Sequence, residues 1–94
     1  MSERGPTPPI PPQLRPFVEE ATGMLIQIPR REAKRAIALD WITAHLPAGA
    51  TLNEKRMNEA LAAVHDDTAA VRRYLVDSGR ITRPEPGVYS IPNG

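Results

Sequence analysis

Residues 65–91 read HDDTAAVRRYLVDSGRITRPEPGVYSI, and the fold of the chain turns on them. The opening His65-Asp66-Asp67 supplies a cap acceptor and negative charge, both of which favour the start of a helix. Val71, Tyr74, Leu75 and Ser78 then share one helical face, and Gly79 provides the stop. Two alternating, strand-prone runs follow, Arg80-Ile81-Thr82-Arg83 and Val88-Tyr89-Ser90-Ile91. The Pro84-Glu85-Pro86-Gly87 stretch between them reads as the turn of a β-hairpin, a wing only about four residues long.

Upstream lies a second helix that runs to about Val64, with Met57, Leu61 and Val64 as its inner stripe. Its cap is either Asn53, whose side-chain oxygen can accept an orphan amide, or Thr51 with Glu54 at capping-box spacing. Only two or three residues separate it from the third helix, a close connection for a helix-turn-helix. Thr51-Leu52 reads as a very short strand. The first helix starts just after Pro29, makes a broad apolar face of Ala33, Ile37, Leu39, Trp41, Ile42 and Leu46, and is stopped by Pro47. The order helix, tiny strand, helix, helix, strand, wing, strand is that of an α+β, winged-helix-like domain. A three-helix helix-turn-helix core carries a C-terminal β-hairpin, over residues 30–91.

Six of the eleven prolines fall in the first sixteen positions. Proline fixes φ and lacks a backbone donor, so residues 1–13 are expected to form a disordered, polyproline-like tail outside any helix or sheet. Residues 14–29 are expected to add a short helix from Leu14 to Ala21, then an extended Met24–Ile28 segment laid on the core. About 65 foldable residues make one core only marginally stable, so extra burial by this segment or by a partner chain, including a homodimer, fits the size. There is no cysteine, hence no disulfide and no thiolate site. No apolar run approaches the roughly 18–20 residues of a membrane helix, and the start lacks the apolar stretch of a signal peptide. A cytoplasmic protein with no membrane partner is the expectation.

The stretch Ile28–Ile91 resembles the domain-of-unknown-function 2087 family. The resemblance is carried by IPRREAKRAIALDWI, TLNEKRMNEAL and HDDTAAVRRYLVDSGRITR, then by a short glycine turn ending in a tyrosine. It covers about two-thirds of the chain. It implies a bacterial domain of this fold, found in some members beside DNA-binding regulatory or acetyltransferase-like regions, and so a transcription-related role. It carries over no catalytic residue.

Net charge is +1, so the distribution of charge matters more than its sum. Four cations, Arg30, Arg31, Lys34 and Arg35, lie within six residues. Arg30 and Arg31 are expected in the first turn of the first helix, where the macrodipole disfavours each cation by roughly 0.3–1 kcal/mol. Either a bound anion offsets that cost, with the four touching phosphates, or the run is a solvated face paired with Glu19, Glu20 or Glu32. Arg73, Arg80 and Arg83 add further phosphate contacts on the third helix and wing. Asp66, Asp67 and Arg72 read instead as an intradomain ion-pair network, with a guanidinium gripping a carboxylate. Two carboxylates at the start of the would-be recognition helix argue against ordinary major-groove readout, which uses that end of the helix.

His65-Asp66-Asp67 makes a poor metal site, because adjacent residues at a helix start rarely converge on one ion. No serine stands in a His–Asp arrangement and no glycine-rich phosphate loop exists. No cofactor, no metal and no enzyme activity are expected. Trp41 and Tyr74 fall on apolar faces and are expected in the core. The functional expectation is a transcription-associated nucleic-acid binder that contacts the phosphate backbone of double-stranded DNA. The alternative is a protein–protein interaction module of the same fold that binds no DNA, using the acidic helix start and the hairpin edge.

Overall fold

The computed structural model describes residues 9–93. A 3-10 helix over Pro12–Phe17 precedes α1 (Glu32–Thr43), β1 (Thr51–Asn53), α2 (Glu54–Ala62), α3 (Thr68–Asp77), β2 (Thr82–Glu85) and β3 (Val88–Ser90). Helices followed by a C-terminal antiparallel hairpin give the α+β, winged-helix layout expected from the sequence.

Each helix buries one stripe. Ala38, Leu39, Trp41 and Ile42 of α1 meet Met57 and Leu61 of α2 and Val71 and Leu75 of α3. Ile81, Tyr89 and Ile91 close the same core from the hairpin side. Asn53 caps α2, its Oδ1 accepting the Arg56 amide at 2.8 Å, which decides the frame that the sequence left open. Asp67 caps α3, its Oδ1 accepting the Ala70 amide at 3.0 Å. Such caps satisfy first-turn amides that have no partner within the helix.

The sheet order is β1-β3-β2, all antiparallel, with Leu52 opposite Tyr89. β2 carries one extra residue relative to β3 between the Thr82–Ser90 and Glu85–Val88 pairs. Pro84 sits in that bulge on an edge strand, where a missing amide costs no ladder bond. The strand therefore runs through Pro84 and Glu85, and the turn shrinks from four residues to Pro86-Gly87. Gly87 has φ +77°, the left-handed value that the second central residue of a type II turn needs.

Four other expectations are corrected. Of the proline-rich tail over 1–13, positions 1–8 lie outside the described residues, but Pro12 opens the 3-10 helix and Pro16 lies inside it. A proline in the first turn removes no bond, since amides there have no intrahelical acceptor. Burial of Leu14, which is fully covered, accounts for the ordering. The helix expected over Leu14–Ala21 ends at Phe17. Beyond it Val18 bridges Leu25 across a turn at Gly23, so residues 18–25 form a small hairpin-like arm. α2 stops at Ala62, and residues 63–67 separate it from α3, a longer connection than expected. The reason is that Val64 turns inward and its carbonyl accepts the Leu25 amide at 2.7 Å, while His65 Nδ1 donates to the Leu25 carbonyl at 2.7 Å. The arm is thus clamped by the helix-turn-helix connection. Lastly, Tyr74 is 37% exposed, on the flank of α3 that faces α1.

No helix among the described residues is long and apolar enough to cross a membrane.

Candidate nucleic-acid interface

Two basic surfaces emerge, one at the start of α1 and one between α3 and the hairpin. The first is built where the arm meets α1. The Ile26 amide donates to the Phe17 carbonyl at 2.7 Å, and with Leu25 clamped below, this fixes Gln27 and Pro29 beside Phe17. Pro29 is fully buried and Arg30 follows it onto the surface. Phe17, Gln27, Pro29, Arg30, Arg31 and Lys34 line a concavity of about 230 Å³. Three cations and no carboxylate surround it. Lys34 Nζ lies 5.9 Å from the centroid of the Phe17 ring.

α1 begins at Glu32, two residues later than the sequence implied, because Arg31 is extended and acts as the N-cap. Its side chain offers no acceptor, so the first-turn amides of α1 have no side-chain cap. Arg30 and Arg31 therefore flank an uncapped helix start rather than sitting within it. Arg35 takes a different role. Its Nη1 donates to the Arg30 carbonyl at 2.9 Å, and its guanidinium lies 5.3 Å from the Tyr74 ring centroid. It braces the loop that presents Arg30 and ties α1 to α3.

The second surface is an open groove of about 410 Å³, lined by Arg72, Arg73 and Arg83 together with Tyr89 and two carboxylates, Glu54 and Asp77. Arg73 and Arg83 are exposed and, among the described residues, have no ion-pair partner. Arg72 is half-buried, donates to Asn58 Oδ1, and lies 5.6 Å from the Tyr89 ring centroid. The bridge expected from Arg72 to Asp66 or Asp67 is not formed. Asp67 spends its carboxylate on the α3 cap, and Arg72 points across to α2 instead.

Arg80 does not join the others. Its Nε donates to Asp40 Oδ1 at 2.7 Å and its Nη2 to the Ala36 carbonyl at 3.2 Å. This is the one ion pair among the described residues. The guanidinium straps the start of the hairpin to α1, because Ile81, next to it, is buried and holds the backbone there. Expected as a phosphate contact, it is a strut.

Of the seven expected phosphate-binding residues, the structure gathers Arg30, Arg31 and Lys34 at one surface and Arg73 and Arg83 at the other, and commits Arg35 and Arg80 to internal contacts. Sequence reasoning missed Phe17, Gln27 and Asn58. Phe17 reaches Arg30 only through the folded-back arm, and no local spacing signals that.

No curated protein and no solved structure matches the chain. The family model described as "Uncharacterized protein conserved in bacteria (DUF2087)" matches residues 24–91, from the clamped arm to the last buried residue of the hairpin, and the chain belongs to that family.

Proposed function

We propose that the protein is a nucleic-acid-binding winged-helix module that grips the phosphate backbone of double-stranded DNA, in a transcription-associated role. The observation that carries this reading is the concavity at the start of α1, where Arg30, Arg31 and Lys34 converge with no carboxylate among them. An uncapped helix start lies beside it. Free first-turn amides and nearby cations both favour a bound anion. Arg73 and Arg83 supply a second set of contacts across the α3–hairpin groove.

The reading is of backbone contact rather than base readout. The exposed start of α3 presents Asp66 and Asp67, then the small side chains of Ala69 and Ala70, which offer base edges little to bond. It is also a reading of binding rather than catalysis. Both histidines commit Nδ1 to backbone carbonyls, His45 to Trp41 and His65 to Leu25.

Titration of a labelled duplex over a range of salt tests the reading. With five phosphate contacts, log K should fall against log salt with a slope near −4.5, roughly 500-fold between 50 and 200 mM. Replacing Arg30 and Arg31 together by Ala should reduce the slope by about 1.8. Absence of binding at low salt defeats the proposal, and so does an unchanged slope in the double variant. One observation favours a second reading, a protein-binding module. Ile26 is 65% exposed beside the arm, and a docked partner would cover it.

A further inference from the structure

We infer that the concavity between the arm and α1 is a pocket for one unpaired base of a DNA strand, with the flanking phosphates held by Arg30, Arg31 and Lys34. The inference rests on the nucleic-acid reading and narrows it to a junction between duplex and single strand.

Phosphate binding alone accounts for the three cations but not for the rest of the lining. The remaining lining is an aromatic ring, Phe17, a buried proline, Pro29, and an exposed amide, Gln27. Aromatic faces beside a cationic track are how single strands are held, because every base has a π-face to stack. The amide both donates and accepts, so it can bond the edge of a base that no complementary strand occupies. At about 230 Å³ the concavity suits a single flat ring, since sites for larger ligands span ~300–1,000 Å³. A duplex has no free base to offer it, and the bulk of a duplex does not enter a space of this size.

The backbone that frames the pocket is also fixed before any ligand arrives. Phe17 and Gln27 flank the two ends of the arm, which the Ile26–Phe17 backbone bond at 2.7 Å holds together. The Leu25 backbone is fixed on both sides by Val64 and His65. Lys34 lies over the Phe17 ring. An incoming base displaces that ammonium from the ring face, and the phosphate on the same nucleotide receives it, so no cation is left unpaired.

Fluorescence anisotropy with three labelled DNAs tests this: a blunt duplex, the same duplex with single-stranded overhangs, and that duplex with abasic overhangs. The quantity read is the ratio of overhang to blunt affinity at one salt concentration. It should be about fivefold or more, the effect of one base–aromatic stack, and should fall to near one with abasic overhangs. Phe17→Leu should bring the ratio to near one. Gln27 is exposed, so Gln27→Ala keeps the fold and should lower the ratio about twofold, the loss of one neutral hydrogen bond. A ratio near one in the unmodified protein overturns the inference and leaves the duplex-binding reading standing. A ratio that survives abasic overhangs, or that survives both substitutions, also overturns it. If none of the three DNAs binds, the nucleic-acid reading itself fails and the pocket assignment goes with it.

Discussion

Arg80 and Arg83 stand three positions apart in one hairpin strand region, yet the structure gives them opposite work. Arg80 lies in the corner between α1 and the hairpin, its side chain 22% exposed, and holds Asp40 and the Ala36 carbonyl. Arg83 projects from an edge strand whose four residues are all exposed, into the α3 groove. The two substitutions should separate cleanly. Arg80→Ala should cost about 1–2 kcal/mol, the loss of one charged hydrogen bond and a partly exposed ion pair, and leave the salt slope of DNA binding unchanged. Arg83→Ala should leave stability within about 0.5 kcal/mol and lower the slope by about 0.9. Urea denaturation and salt titration of both variants check the pair. A slope change in Arg80→Ala is the result that would return Arg80 to the binding surface. The sequence could not distinguish these residues. Both are arginines in a strand-prone run, and the Asp40 partner of Arg80 lies 40 residues away in the chain.

Whole elements were more legible than single side chains, for a reason that the caps make plain. Asn53 and Asp67 bond amides three residues ahead, a distance that a local pattern encodes, so spacing placed the start of α3 and narrowed that of α2 to two frames. The same holds for the apolar stripes and for the hairpin turn, apart from its exact length, which the Pro84 bulge altered. Contacts that depend on the arm were illegible, because Leu25 meets Val64 and His65 from across the fold. The candidate site divides along the same line. Its cations were visible as a charge run, while Phe17 and Gln27 became part of it only when the arm folded back. The cap on α3 also bears on function, since the carboxylate that stabilises the helix opposes DNA at its tip. Asp67→Ala should cost about 1 kcal/mol by removing the cap acceptor. Asp67→Asn keeps an acceptor of equal rank, so it should recover most of that loss while removing the negative charge. Chemical denaturation of both variants is the measurement. Equal destabilisation by Ala and Asn would show that charge at the helix start matters more than the hydrogen bond.

At the scale of the molecule, the core extends beyond the family match. That match begins at Met24, yet Leu14, ten residues earlier, is wholly buried in the same cluster as Ala38, Met57 and Leu75. The 3-10 helix packs against α1, and through the Phe17 carbonyl it holds the segment that leads into the basic concavity. A core this small leaves little margin, so the 3-10 helix is expected to support stability as well as the site. Leu14→Ala leaves a cavity where the 3-10 helix packs on α1, and such truncations cost about 2–5 kcal/mol. In a domain of this size each kcal/mol moves the midpoint by about 4–8 °C, so the substitution should lower Tm by at least about 8 °C. Below that midpoint Phe17 and Pro29 should still form the pocket, so binding at low temperature should persist while binding near physiological temperature falls. Calorimetry paired with DNA titration at two temperatures checks both halves. A normal Tm would mean that the 3-10 helix lies on the core without supporting it.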